Sequence, residues 1–144
     1  MIQNLAIASD HAGYNLKNYI VHNLKKEINL NDFGTNSEES CDFPDFAKEV
    51  CDFVVNNESS RGLLICGSGV GMSISANKIK GIRAANVVDK ETATQSVEHN
   101  DVNVLCLGAN NINEENVLDI VESFLDAKLI QDERYLRRIS KFED

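Results

Sequence analysis

The sequence lacks tryptophan, has a single proline, and contains no apolar run near the roughly 20 residues that a transmembrane helix requires. Its first residues, MIQNLAIASDHAG, have neither a basic segment nor a small-residue cleavage site, so we interpret them as the start of a strand and not as a secretory signal. Positive charge is also scarce, since 14 lysines and arginines stand against 23 acidic residues. The net charge of −9 argues against nucleic acid and anionic membranes as main partners.

The four cysteines show no pattern typical of a metal site or a disulfide framework. There is no CxxC spacing and no zinc-type pairing with histidine, and two of the four lie in apolar, strand-like runs where free cysteine behaves as a small hydrophobe. We therefore expect reduced thiols, no bound metal and a cytoplasmic protein. The cysteines are Cys41, Cys51, Cys66 and Cys106.

Short apolar runs alternate with helical patterns along the whole chain. The runs predict strands at 5–8, 28–33, 62–66, 82–88 and 104–107, and each is followed by an amphipathic pattern typical of a helix. Alternating units of this kind predict a three-layer αβα sandwich in which a five-stranded parallel sheet lies between two layers of helices. The length of 144 residues suits one domain, 1–144, and five units suit the flavodoxin-like strand order 2-1-3-4-5.

In that order, strands 1 and 3 are neighbours at the switch point where such sheets bind ligands. Strand 1 ends in Ser9, Asp10 and His11, and strand 3 ends in Cys66 and a glycine-rich loop. Two polar strand ends therefore meet where a site is expected. Asp10 could simply cap the first helix, whose dipole would favour a neutral His11, yet either residue could also contact a bound sugar or phosphate.

The segment 63–74, LLICGSGVGMSI, is an apolar run that feeds a helix through three glycines. Such a loop leaves backbone N–H groups pointing outward at a helix N-terminus, where they stabilise negative charge. Met72 stands where a dinucleotide fingerprint needs Gly or Ala and where a cysteine phosphatase loop needs Arg, and no Gly-Lys-Ser/Thr is present. A receiver domain would need Asp in place of Cys66. We therefore interpret the segment as an anion-stabilising loop without nucleotide chemistry.

Cys66 has two interpretations. An arbitrary strand cysteine is simply buried, and we interpret Cys106 in that way. At a helix N-terminus, however, the thiolate form is favoured, and a thiolate can act as a nucleophile or as a general base. The loop N–H groups beside it would stabilise an oxyanion in either case.

His99 lies at the far end of a helix that begins at the carboxyl edge of the sheet. From Glu91 to His99 this helix rises about 12 Å, so His99 lies too far away to serve the site of its own chain. If His99 is catalytic, it acts in the site of a neighbouring subunit; otherwise it is a surface histidine.

Arg134 and Arg138 lie four residues apart on one face of a predicted terminal helix, about 132–141. Their guanidinium groups could clamp a phosphate, for which arginine forks are well suited. Alternatively, they could pair with Asp132 and Glu133 on the helix surface.

Six segments spread over the chain carry a resemblance to a known family. They are SDHAG, DFGT, CDFPDFA, ICGSGVGMSISANKIKGIRAA, EHNDVNVLCLG and ERYLRRI, and they extend from Leu5 to about Ile139. Together they resemble the family of type B ribose-5-phosphate isomerases and galactose-6-phosphate isomerases. The resemblance implies reversible isomerisation of ribose 5-phosphate and ribulose 5-phosphate through an enediolate, without a cofactor. It also implies a homodimer, which in some members pairs into a tetramer.

The resemblance further implies which residues transfer the proton. Cys66 would be the base that moves the proton between C1 and C2, and Ser68 would assist near the base. The loop residues that would hold the enediolate oxygen are Gly67, Ser68, Gly69, Val70 and Gly71.

Other roles implied by the resemblance concern the remainder of the substrate. His99 of the partner subunit would open the furanose ring, and Asp10 would help to hold the ring oxygen or hydroxyls. Asn100 would contact the substrate beside His99. Phosphate binding would fall to His11, Arg134 and Arg138.

Three residues depart from the pattern of the family. Asn110 stands where the family commonly has an arginine that reaches the phosphate, Phe43 replaces a frequent tyrosine, and Ser68 replaces a usual threonine but keeps the hydroxyl. Cys66 together with Met72 indicates the branch that uses cysteine, because another branch has serine and a glutamate base. Two alternatives stay open: isomerisation of a six-carbon sugar phosphate such as allose or galactose 6-phosphate, and a non-catalytic module that binds a sugar phosphate.

Overall fold

The computed structural model describes residues 1–143, in which five parallel strands alternate with helices and a sixth helix follows the last unit. Each strand is followed by a helix, as the sequence pattern predicts. The elements are β1 (Asn4–Ser9), α1 (Tyr14–Asn23), β2 (Asn29–Asp32), α2 (Phe43–Asn56), β3 (Ser60–Cys66), α3 (Val70–Asn77), β4 (Ala84–Asn86), α4 (Lys90–Asn100), β5 (Val104–Gly108), α5 (Glu114–Asp126) and α6 (Glu133–Ile139).

The strand order in the sheet is β2-β1-β3-β5-β4. The predicted three-layer αβα class is confirmed, but the predicted order 2-1-3-4-5 is wrong for its last two strands. β5 reads VLCLG and is buried along its whole length, so it takes the inner position beside β3. β4 is only three residues long and ends in an exposed asparagine, which suits the edge of the sheet. The predicted neighbours β1 and β3 do pair, so the switch point lies where it was expected.

The outer edge of β4 is closed by a side chain. Asn77, the last residue of α3, accepts from the N–H of Ala84 at 2.8 Å and donates to the carbonyl of Ala84 at 3.0 Å. The amide of this side chain thus forms the pair of hydrogen bonds that a further strand would form with Ala84.

Alternate residues of the inner strands point to opposite faces of the sheet. The larger aliphatic side chains, among them Ile7, Ile65 and Leu107, pack with α1, α4 and α5 in one hydrophobic cluster. The other face carries the smaller side chains, among them Ala8 and the sulfur of Cys66, and packs against α2 and α3. Two helix layers of unequal size therefore cover the sheet, and Cys66 faces the α2–α3 layer. Within residues 1–143, no helix has the length and apolar character needed to cross a membrane.

One ion pair beneath the carboxyl edge predicts an asymmetric pair of stability effects. Lys17 is 1% exposed, and its Nζ lies 2.7 Å from Asp32 Oδ2, whereas the Asp32 side chain is 32% exposed. Asp32→Asn should cost about 3 kcal/mol of unfolding free energy, because it leaves a buried ammonium without its counter-charge. Lys17→Met should cost less than half as much, because the remaining carboxylate can be hydrated. Urea unfolding of both variants measures the difference, and an equal or reversed order of midpoints would contradict it.

Candidate active site

The loop between β3 and α3 brings the sulfur of Cys66 against a backbone amide. Gly69 adopts a φ of +81°, a left-handed conformation that favours glycine, and its N–H donates to Cys66 Sγ at 3.2 Å. The Cys66 side chain ends β3 at the N-terminus of α3 and is 5% exposed. The sulfur thus lies against an amide donor and at the N-terminus of a helix, and both stabilise negative charge.

Close packing at glycines, which have no side chain, holds this loop in place. A Cβ atom on Gly108, at the end of β5, would lie 2.5 Å from the backbone carbon and oxygen of Ser68. A Cβ on Gly71 would lie 2.7 Å from the ring of Phe43, which begins α2. The backbone of the loop therefore lies directly on β5 and on the Phe43 ring.

The loop amides divide into those already used and those still available. Besides the Gly69 N–H that reaches the sulfur, the Val70 N–H donates to Ser68 Oγ at 3.2 Å. Within residues 1–143, the N–H groups of Gly67 and Ser68 have no acceptor. These two donors, next to Cys66, form the anion-stabilising part of the loop.

Asp10 and His11 lie beside this loop at the end of β1. The Asp10 N–H donates to the carbonyl of Ile65 at 3.1 Å, and Asp10 Oδ1 accepts from the Gly13 N–H at 3.1 Å. Asp10 is buried, so its carboxylate both bonds the start of α1 and borders the site. The meeting of the two polar strand ends is confirmed.

The ring of His11 is held by the loop between β2 and α2. Its Nδ1 accepts from the Cys41 N–H at 3.2 Å. Because Nδ1 accepts, the neutral ring carries its proton on Nε2, and that nitrogen is a donor. A donor of this kind suits a phosphate oxygen.

Asn110 lies next to the anion-stabilising loop. Its N–H donates to the carbonyl of Gly67 at 3.0 Å, and its Nδ2 would lie 3.3 Å from a Cβ on Gly67. The residue is exposed. A short amide thus occupies a place beside the loop from which a longer side chain could extend over the substrate.

His99 and Asn100 end α4 and lie at the opposite, amino edge of the sheet. The His99 ring stacks on the ring of Tyr135 in α6, with centroids 4.3 Å apart and an angle of 15° between the planes. The structure therefore separates His99 from Cys66 of the same chain by the length of α4, as the sequence geometry predicted. Tyr135, which the sequence analysis did not single out, joins His99 to the arginine-bearing helix.

Arg134 and Arg138 lie on α6, next to His99. Asp132 accepts from Arg134 Nε at 3.0 Å and from Arg134 Nη2 at 2.8 Å, and these hydrogen bonds lower the pKa of Asp132 to about 2. The surface pairing considered for this helix is therefore present at Arg134. Arg138 forms no ion pair within the described part of the chain. Both residues are exposed on the helix whose Tyr135 stacks on His99.

The positive charge that a phosphate requires is distributed unevenly between the two edges. All five arginines of the chain lie toward the amino edge: Arg61, Arg83, Arg134, Arg137 and Arg138. Arg61 is the second residue of β3 and bonds the carbonyl of Ala127 just after α5, and Arg83 bonds Asp101 just after α4. The predicted site residues thus form two groups at opposite ends of one chain. The carboxyl-edge group contains Cys66, the loop, Asp10 and His11, and the amino-edge group contains His99, Asn100, Arg134 and Arg138.

The other buried cysteines differ from Cys66 in their surroundings. Burial raises the pKa of Cys51 to about 12 and raises the pKa of Cys106 well above its ordinary value. The interpretation of Cys106 as a buried, small hydrophobe is confirmed by its full burial. Among the residues that the structure describes, no cluster of three or more His, Cys, Asp and Glu could hold a metal ion.

The parallel sheet carries a buried thiol beside amide donors at its switch point, where α/β proteins bind small ligands. Residues 5–142 match the Ribose/Galactose Isomerase family. The chain belongs to this family, and the predicted resemblance is confirmed.

Similar proteins match this chain over nearly its full length. A putative sugar phosphate isomerase of Rickettsia conorii is 41% identical, with 97% of each chain covered. The structure of ribose-5-phosphate isomerase B from Clostridium thermocellum is 45% identical, covers 96% of this chain and 94% of its own, and has a TM-score of 0.91. The structure of ribose-5-phosphate isomerase B from Mycoplasma genitalium, which has ribulose 5-phosphate bound, is 43% identical, with 98% and 94% covered and a TM-score of 0.90.

Proposed function

We propose that the chain interconverts ribose 5-phosphate and ribulose 5-phosphate through an enediolate. The observation that carries the proposal is the Gly69 N–H bonded to Cys66 Sγ beside the unused N–H groups of Gly67 and Ser68. A base and an oxyanion site in one loop are what proton abstraction next to a carbonyl requires. The ribulose 5-phosphate bound to the Mycoplasma genitalium relative supports a five-carbon sugar phosphate as the substrate.

The proposed reaction moves one proton and shifts one double bond. The Cys66 thiolate takes the proton from C2 of the open-chain aldose, and the C–H electron pair forms a C1=C2 double bond while negative charge develops on O1. The loop N–H groups stabilise that charge, and the Ser68 hydroxyl assists the transfer of the hydroxyl proton from O2 to O1. Cys66 then returns its proton to C1, which yields the ketose.

The roles proposed for the other residues follow from the two groups. Asp10 holds a hydroxyl or the ring oxygen, and His11 donates from Nε2 to the phosphate. From the amino-edge group, His99 opens the furanose ring and Asn100 contacts the substrate. Arg134 and Arg138 bind the phosphate. The terminal segment 132–141 thus contributes phosphate-binding residues to the single domain 1–144.

We further propose that a homodimer, which could pair into a tetramer, unites the two groups. The distribution of arginines supports this, because a phosphate near Cys66 meets a guanidinium only if a second copy supplies it. Exposed apolar side chains lie next to each group: Val70 and Ile74 on α3, and Ile130 and Leu136 near α6. Two-fold pairing would bury the first pair of one protomer against the second pair of its partner, and it would form two identical sites.

We propose that the protein is cytoplasmic and that its ligand is a sugar phosphate. The four cysteines are free thiols, and three of them are buried, which fits a reducing compartment.

Substrate competition tests the proposed function. Turnover of ribose 5-phosphate should exceed that of allose 6-phosphate and galactose 6-phosphate by at least about tenfold in kcat/KM, since one extra carbon in a closed site costs that much or more. Faster turnover of a six-carbon substrate would contradict the proposal. Detectable exchange of the C2 proton of ribose 5-phosphate with solvent would exclude the non-catalytic binding module.

A further inference from the structure

Asn86 reaches the anion-stabilising loop from outside the group of residues considered so far. It is the last residue of the edge strand β4, and its Nδ2 donates to the carbonyl of Ser68 at 3.2 Å. Its side chain lies flat against Gly69, where a Cβ atom would come within 2.4 Å of Asn86 Oδ1. Neither Asp10, His11 nor the loop itself contacts the Ser68 carbonyl in this way within residues 1–143.

The carbonyl that Asn86 binds belongs to the same peptide group as the N–H that binds the sulfur. Ser68 C=O and Gly69 N–H are the two ends of one planar, trans peptide unit, so they point in opposite directions. Fixing the carbonyl toward Asn86 therefore fixes the N–H toward Cys66 Sγ, to which it donates at 3.2 Å. A donor at the carbonyl also polarises the unit and strengthens the hydrogen bond at its other end.

The orientation of the Ser68–Gly69 peptide needs a hydrogen bond from outside the loop, because Gly69 itself does not restrict it. Glycine permits both orientations of the adjoining peptide, and a rotated unit would point the Ser68 carbonyl at the sulfur. A carbonyl oxygen near Sγ would oppose the thiolate, whereas an N–H stabilises it. The orientation of one peptide group thus decides whether Cys66 can serve as a base.

We propose that Asn86 is a positioning residue for Cys66, acting through the Ser68–Gly69 peptide. It orients this peptide so that the Gly69 N–H stays on Cys66 Sγ, and it does so without touching the substrate. The inference rests on the proposed function for its catalytic meaning, but the state of the thiol can be measured without any substrate.

A pH titration of the thiolate tests the inference. Ultraviolet absorbance of the thiolate is followed against pH in the protein and in its Asn86→Leu variant, and the curve of a Cys66→Ala variant is subtracted from both. Leucine has nearly the size of asparagine but no donor, so the midpoint of thiolate formation should move to higher pH by about half to one unit. The pH profile of kcat/KM should move by the same amount, with activity about three- to tenfold lower below the midpoint.

Two further variants separate positioning from general damage. Asn86→Asp keeps the shape, places a carboxylate against the Ser68 carbonyl, and should move the midpoint at least as far as Asn86→Leu. Asn77→Leu removes an amide that also bonds β4 but does not reach the loop, so it should lower stability and leave the midpoint unchanged. Superimposable curves for both Asn86 variants and the parent protein, or an equal shift in Asn77→Leu, would overturn the inference. Failure of the proposed function would instead appear as an inactive parent protein whose thiol titration still depends on Asn86.

Discussion

Replacement of Cys66 by alanine is expected to lower kcat/KM for ribose 5-phosphate by at least about 10³-fold, as the loss of a general base typically does. The thiol ends β3 with one amide donor on its sulfur and two unused amides beside it, and no other side chain of the carboxyl-edge group has this arrangement. Asp10 cannot replace it readily, because its Oδ1 is bonded to the Gly13 N–H. Steady-state kinetics of the purified variant measures the loss.

The matched control for this variant is Cys106→Ala. Cys106 lies on the neighbouring strand β5, faces the same helix layer and is fully buried, so both variants remove one buried sulfur. Each should cost about 1 kcal/mol of unfolding free energy, and only the Cys66 variant should lose turnover. If Cys66→Ala kept more than about a tenth of the activity, or if Cys106→Ala lost as much, the assignment of the base would be wrong.

Restoration of activity by mixing two inactive variants is the second large effect expected. Cys66→Ala damages the carboxyl-edge group and His99→Gln damages the amino-edge group, so homodimers of either variant have no intact site. When the two chains are unfolded and refolded together in equal amounts, half of the dimers are mixed and each has one intact site, which restores about a quarter of the parental activity. The assay uses cyclic ribose 5-phosphate, for which the loss of ring opening by His99 should be most severe.

The reciprocal mixture provides the control. A chain that carries both substitutions is refolded with an equal amount of the parent chain, and every site of a mixed dimer then contains one damaged group. Activity should fall to about a quarter of that of the parent alone, contributed by parental dimers. A value near one half, together with no recovery in the first mixture, would mean that each chain builds its own site and that the proposed dimer is wrong.

The fold was predictable from the sequence up to the choice of an edge strand. The alternation of apolar runs with amphipathic stretches is a local property, and it fixes the number of units and the parallel sheet. The order of β4 and β5 depends on which of two short strands is better covered on both faces. The sequences of β4 and β5, AAN and VLCLG, already differ in apolar character. The burial that decides the strand order arises only when α4 and α5 pack on one face of the sheet and α2 and α3 on the other.

The candidate site was predictable where residues adjoin along the chain or across neighbouring strands. Cys66 and its loop form one segment, and Asp10 and His11 meet them because β1 and β3 pair. Asn86 and Tyr135 were missed because nothing near them in the sequence indicates a contact with the loop or with His99. Those contacts require β4 at the edge and α6 folded back on α4. The catalytic and binding roles of the individual residues stay predictions.

The side chain of Asn77 has a consequence for how copies of this chain can associate. An exposed edge strand invites another chain to add a strand, which is the common beginning of aggregation. Here the outward N–H and carbonyl of Ala84 are already bonded to the Asn77 amide, so the sheet cannot readily be extended through β4. Addition of a strand at this edge of the sheet is thereby disfavoured. The closed edge is compatible with the proposed dimer, in which copies pair through the apolar side chains of α3 and α6 and not through strands.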